Sequence, residues 1–177
     1  MYWRLLLALL ILNMVTANLA EAGMPDHGLL LREAILEKSF ATSARAFGIP
    51  PQLVKAIARQ ESSCRPLVVN IAGRDYYPKT LEYALKLCEI AEEYQLQYDV
   101  GLMQINRYWI HKYRIPVRVL FNPADNIHMG CFILNNEIRK HGLNWKAVGR
   151  YHSRTAWRAK NYVSKIKRHL ANILASK

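Results

Sequence analysis

The chain has 177 residues, 51% of them hydrophobic, which supports one self-sufficient core and leaves too little chain for two full-size domains. Its 25 Lys and Arg against 13 Asp and Glu give a net charge of +12. That excess points to an anionic partner or surface (nucleic acid, phospholipid or cell-wall polymer) without choosing among them.

The amino terminus, "MYWRLLLALLILNMVTANLAEAG", sets Arg4 ahead of an apolar run that begins at Leu5 and fades by Thr16. Ala20 and Ala22 then form a small-x-small pattern. This reads as a secretory signal peptide over 1–22, cleaved after Ala22, with a mature domain over 23–177. The run is short for a bilayer span, so an uncleaved anchor is the weaker alternative. Export places the domain in a compartment that permits disulfides. Cys64, Cys88 and Cys131 allow three pairings, each with one thiol left over, and the spacing selects none.

Helices are expected through most of the mature region. Leu30 to Phe47 carries apolar residues at helical spacing and stops at Gly48. "IPPQLVKAIARQES" opens the next helix with prolines in its first turn, where a missing N–H costs little. "RPLVVNIAGRDYYP" (65–78) has short β-branched runs around a Gly and reads as a loop or small hairpin. Thr80 is placed to cap a helix whose apolar face is Leu81, Ala84, Leu85, Cys88 and Ala91, which makes Cys88 a core residue rather than a reactive one.

After "DVGLMQIN" and an aromatic segment, "RYWIHKY", Asn122 caps a helix with Pro123 in its first position and Gly142 past its end. Its buried stripe is Ile127, Cys131, Leu134 and Ile138. Asn144 caps a shorter helix, and a last one runs from about Ala156 to Leu174 with Val163, Ile166, Leu170 and Ile173 inside. The fold class expected is mainly α, a compact helical domain with a small loop or hairpin lobe. Neither the cysteines nor the six scattered histidines have metal-ligand spacing, so neither metal nor cofactor is expected. No G-x-S-x-G elbow, P-loop or nucleic-acid motif occurs.

One helix raises a question. Leu53, Ile57 and Glu61 sit four apart, flanked by Val54 and Ala58, so an apolar stripe ends in a carboxylate. Either the helix ends there and Glu61 reaches water, or the carboxyl lies in a poorly solvated cleft with a raised pKa, suited to a general acid. Three stretches bear on the choice: "AIARQESS" (56–63), "GLMQIN" (101–106) and "AVGRYHS" (147–153), in that order. Together with "NPADNIHMGCFIL" and the tail "SRTAWRAKNYVSKI", which has an aromatic at Tyr162, they resemble the lysozyme-like lytic transglycosylases that cut bacterial peptidoglycan. The likeness extends from about Ser39 to Ile166.

The resemblance implies a lysozyme-like α+β fold with its cleft beside the small lobe, Glu61 as catalytic acid, and Ser62 as its neighbour at the helix end. It implies a substrate-binding set of Ser62, Gly101, Leu102, Met103, Gln104, Tyr151 and His152. In this set Gly101 admits the sugar to the backbone, Met103 and Gln104 touch it, and the Tyr151 hydroxyl holds the Glu61 carboxyl. The family commonly has Asn where this chain has His152, whose imidazole can still donate to a sugar oxygen. Met103 and Ile105 are also plain core candidates, and Tyr108 and Trp109 are candidates for stacking on sugar rings.

A proton donor at the leaving oxygen must be protonated, whereas a free Glu at neutral pH is ionised, so apolar walls around Glu61 are what the chemistry asks for. Most glycosidases need a second carboxylate. Asp125 lies in a capped first turn and Asp75 in an exposed-looking loop, which leaves Asp99 as the plausible partner. The resemblance implies that none is needed. The substrate's N-acetyl group assists departure, ionised Glu61 takes the C6 hydroxyl proton, and a 1,6-anhydromuramoyl end forms. The partners implied are peptidoglycan glycan strands and components of a secretion, conjugation or pilus apparatus, met by a periplasmic monomer without nucleic acid. A hydrolytic muramidase and a non-catalytic wall-binding protein are the alternatives.

Overall fold

The computed structural model describes residues 27–176, so the proposed signal peptide lies outside the described residues. Contacts divide the chain after Ile35. In the first unit the described residues are helical and present Leu29, Leu31 and Ile35 to solvent. Their helix, α1 (His27–Ala46), continues into the second unit, where Phe40 and Ala44 are buried and Gly48, with φ of 64°, turns the chain away. The apolar stripe expected from Leu30 onward is therefore a core stripe only in its second half.

The second unit forms around α2 (Pro51–Ser62), whose Leu53, Val54, Ala56, Ile57 and Ala58 are all buried. Pro51 occupies the first turn as expected. Next comes a hairpin of β1 (Val69–Ile71) and β2 (Arg74–Tyr76), then α3 (Leu81–Glu93), capped by the Thr80 hydroxyl, which accepts from Tyr83 N. Two strands follow, β3 (Tyr98–Val100) and β4 (Ile105–Asn106), and then α4 (Arg107–Tyr113) and a 3-10 turn at Val117–Phe121. The last three helices are α5 (Pro123–His141), α6 (Trp145–His152) and α7 (Ala156–Ala175). Asn122 and Asn144 cap α5 and α6 through their side-chain oxygens. Helix α7 packs along α2 and against α6, and α6 packs against α5.

The strands form an antiparallel sheet in the order β2-β1-β3-β4. Alternation buries Val69, Tyr98, Val100 and Ile105. It turns the other set away from the core, and register places that set in one row across all four strands: Asp75, Asn70, Asp99, Asn106. Asn70 Nδ2 donates to Asp75 Oδ1 at 2.6 Å and Asn106 Nδ2 to Asp99 Oδ1 at 2.8 Å. The small lobe is thus a sheet rather than a lone hairpin, set in a mainly helical, lysozyme-like domain.

All three cysteines are free thiols, with Cys88 and Cys131 buried. Burial pushes both thiols up to about 12, which makes them inert core residues. No described helix is long and apolar enough to cross a membrane.

Candidate active site

Helix α2 ends abruptly because Ser63 and Cys64 both adopt left-handed φ values, 56° and 60°. Buried Ser62 fixes that end. Its hydroxyl donates to Leu102 O at 2.9 Å and accepts from Arg65 N at 3.1 Å. The hydroxyl thus joins two backbone segments and fixes the end of the helix beside Glu61. The facing 101–104 loop is pinned by Asn126, a wholly buried side chain on α5. Its Oδ1 accepts from Met103 N at 2.7 Å, and its Nδ2 donates to Val100 O at 3.0 Å and Leu120 O at 2.7 Å.

The same amide explains Gly101. A Cβ at Gly101 would lie 2.1 Å from Asn126 Nδ2 and 2.7 Å from Leu120 O, and φ there is +76°. Protein packing alone is enough to require this glycine. Leu102 and Met103 turn their side chains into the core. They are 1% and 0% exposed, and Met103 rests against Gly130, where a Cβ would come within 2.7 Å. Neither side chain has surface to offer a ligand. Gln104 does reach the cleft, held by its Nε2 donating to Gly101 O at 2.8 Å.

These constraints deliver Glu61 to a cleft of about 650 Å³ whose lining includes Asp75, Asp99, Gln104, Trp109 and His152. Tyr162 of α7 donates its hydroxyl to Glu61 Oε1 at 2.5 Å. The Tyr151 hydroxyl instead donates to Met103 O at 2.7 Å. The expected Tyr151–Glu61 bond is therefore corrected to Tyr162. Tyr151 closes the loop floor, and Tyr162 meets the carboxyl. His152 stacks on Tyr162, with ring centroids 4.5 Å apart and planes 5° from parallel. Burial first, then the nearby Lys165 and Arg158 cations, lower the His152 pKa and favour the neutral imidazole.

Glu61 titrates unlike a free glutamate. Desolvation, the largest influence, pushes its pKa up to about 7, and the charges of Asp99 and Asp75 push the same way. The Tyr162 hydrogen bond and Lys165 oppose them. Asp99 is itself raised, chiefly by burial, with the Asn106 hydrogen bond opposing. Asp75, read from sequence as an exposed loop residue, belongs to the cleft with Asp99 because the hairpin register aligns them. Asp125 stays in the first turn of α5, outside the cleft lining. Of the two aromatic candidates, Trp109 lines the cleft and Tyr108 borders a neighbouring cavity. Among the described residues, no group of three or more His, Cys, Asp or Glu is placed to hold a metal ion.

The arrangement is a desolvated carboxyl in a polar cleft, with acids on the sheet and Arg158 and His152 from the helices. The transglycosylase SLT domain profile matches residues 38–170. The chain belongs to the transglycosylase SLT domain family. Among relatives of this SLT domain, the Type IV secretion system protein virB1 of Brucella abortus is 29% identical over 94 residues, 52% of this chain and 40% of that protein. The invasion protein IagB of Salmonella typhi is 27% identical over 116 residues, 63% of this chain and 59% of that protein. Protein IpgF of Shigella sonnei is 26% identical over 114 residues, covering 62% and 61% of the two chains. The SLT domain chain thus spans between two fifths and about three fifths of the length of these relatives.

Proposed function

We propose that this protein is a lytic transglycosylase that cleaves the β-1,4 bond between N-acetylmuramic acid and N-acetylglucosamine in peptidoglycan. Glu61 serves first as acid and then as base. The observation that carries this reading is a carboxyl in a cleft whose Oε1 accepts from the Tyr162 hydroxyl, with burial pushing its pKa up to about 7. At neutral pH a useful fraction is protonated and can donate to the leaving oxygen. The resulting carboxylate, with Tyr162 still donating to Oε1, is the base that takes the C6 hydroxyl proton as that oxygen closes on C1. Trp109 offers a ring face to the sugar, and Gln104 and His152 offer hydrogen-bonding groups. The relatives' names, a type IV secretion protein and an invasion protein, support local wall opening for an envelope-spanning secretion machine, acting in the periplasm after export.

Asp99 in the same cleft favours a second reading, a hydrolytic muramidase in which that carboxylate acts as base or nucleophile. Mass analysis of muropeptides released from purified peptidoglycan separates the two. Products one water lighter than hydrolytic muropeptides are expected, and Asp99→Asn should retain turnover within about tenfold. Hydrated reducing ends, with a loss of more than about 100-fold in Asp99→Asn, would establish the muramidase instead.

A further inference from the structure

The positive charge is concentrated in one part of the chain. After Glu137 the sequence holds eleven Lys and Arg and no Asp or Glu, so nearly the whole net charge of +12 resides there. In the fold this segment is the end of α5, together with α6 and α7. Lys146, Arg154, Lys160, Lys167 and Arg168 have no carboxylate within ion-pair distance among the described residues. An uncompensated field of this kind favours an anionic partner.

Apolar side chains are interspersed with those cations. Leu143 is 52% exposed, Trp145 39%, Trp157 66% and Leu174 55%. Two adjoining cavities of about 270 and 380 Å³ share Trp145. The first has Pro50, Leu53, Val148 and Leu170 in its walls, and the second is rimmed by Lys146, Arg150, Arg154 and Lys160. Lys167 Nζ stands 4.9 Å from the Trp145 ring centroid. Lys160, Lys167 and Leu174, seven apart, share a line along α7.

The pattern discriminates among polyanions. Glycan strands would stack on the Trp145 ring but gain little from the aliphatic walls formed by Pro50, Leu53, Val148 and Leu170. Nucleic acid binds through its phosphates and by stacking bases on ring faces, and neither uses those aliphatic walls. A short acidic peptide would fill the groove and leave Trp157 and Leu174 unused. A phospholipid surface supplies phosphate and hydrocarbon side by side over an area this wide, and tryptophan favours that boundary. We propose that the α6–α7 face docks on an anionic phospholipid surface. Lys146, Lys160 and Lys167 meet headgroup phosphates, and Leu143 and Trp145 lie at the acyl boundary. Because α7 also carries Tyr162 and Arg158, docking fixes the orientation of the cleft relative to the membrane. This inference stands whether or not the enzymatic reading does.

The test is co-sedimentation of the full chain with vesicles of equal phosphatidylglycerol and phosphatidylcholine, against phosphatidylcholine alone, over a salt series. The amino-terminal apolar run is common to every variant, so differences between variants report the α6–α7 face. The expected result is a preference for the anionic vesicles that weakens with salt. Joint Lys146→Gln, Lys160→Gln and Lys167→Gln substitution should reduce that preference on the order of 100-fold. Neutralising Arg74, Lys79 and Arg118 in the same way should change it by about threefold or less. Trp145→Ala should weaken vesicle binding about tenfold at every salt concentration. Circular dichroism checks folding, and should the triple variant unfold, the salt series and Trp145→Ala still decide. Absence of an anionic preference, or equal losses from the two triple variants, would overturn the proposal. So would binding to lipid-free sacculi, but not to vesicles, that depends on the three lysines.

Discussion

Two glutamates in this molecule each accept a hydrogen bond from a buried tyrosine, yet their acidities are far apart. Glu61 receives Tyr162 at 2.5 Å and is pushed up to about 7. Glu92, at the end of α3, receives Tyr98 at 2.9 Å and is pulled down to about 2. The hydroxyl is common to both, so it does not set the difference. Glu92 also accepts from Arg107 Nε at 3.0 Å and Nη2 at 2.6 Å, the largest influence on it, and lies 2.6 Å from His111 Nε2. Among the described residues no cation lies within ion-pair distance of Glu61, which is desolvated by burial and has the acids Asp99 and Asp75 nearby. One carboxylate is clamped in its charged form and ties α3 to β3 and α4. The other is left uncompensated so that it can carry a proton.

Glu61→Gln should separate the two most strongly. General acid–base groups contribute roughly 10²- to 10⁴-fold, so turnover of peptidoglycan should fall on the order of 1,000-fold. Stability should change in the opposite sense. A carboxyl raised in the folded state binds its proton there while the unfolded chain has released it. Folding is therefore penalised progressively as pH rises from the ordinary carboxylate range through about 7. The substitution should then add up to about 3 kcal/mol at pH 8 and nothing near pH 4. Thermal unfolding at both pH values reads this directly. An equal effect at the two pH values would show that Glu61 is not desolvated.

Glu92→Gln tests the other side. Its lowered pKa stabilises the fold above the ordinary carboxylate range, and that stabilisation is lost as pH falls through about 2. Loss of the charge-assisted bonds should cost about 1–2 kcal/mol at pH 7, a figure discounted because the side chain is 34% exposed. The cost should vanish near pH 2. Turnover at 25 °C should change less than about tenfold, since α4 brings only Trp109 to the cleft. Denaturant titrations at pH 7 and pH 2 measure the first effect, and muropeptide release measures the second.

Much of this comparison was legible in the sequence on one side only. The caps Thr80, Asn122 and Asn144, with Pro123 and Gly142, announce their helices by local chemistry, and the Leu53–Ile57–Glu61 spacing announces a carboxyl at the end of a buried stripe. Strands β3 and β4 are too short to show a period, so the four-stranded row that brings Asp75 beside Asp99 was invisible. Register is a property of paired strands, and no single strand encodes it. Asn126 escaped for a related reason. A polar residue on a helix reads as solvent-facing until the loop it satisfies is folded over it. Tyr151 and Tyr162 bear the same hydroxyl on neighbouring helices, and only packing decides which reaches Glu61.

That last assignment supports the finest prediction. Tyr162→Phe removes a donor that favours the charged form of Glu61, so the carboxyl pKa should rise further and the alkaline fall of turnover should move to higher pH. Peak turnover should drop by about tenfold, because the carboxyl loses the bond that orients it. Tyr151→Phe should leave the pH profile in place, since its hydroxyl serves the Met103 carbonyl, and should cost about 1 kcal/mol of stability through the lost buried bond. A pH–rate profile of the two variants side by side reads the difference. Movement of the alkaline limb in Tyr151→Phe rather than Tyr162→Phe would return the carboxyl to Tyr151. Movement in neither would mean that desolvation and the Asp99 and Asp75 charges set the acidity of Glu61 without the hydroxyl, and the contrast with Glu92 would then rest on those and on Arg107 and His111.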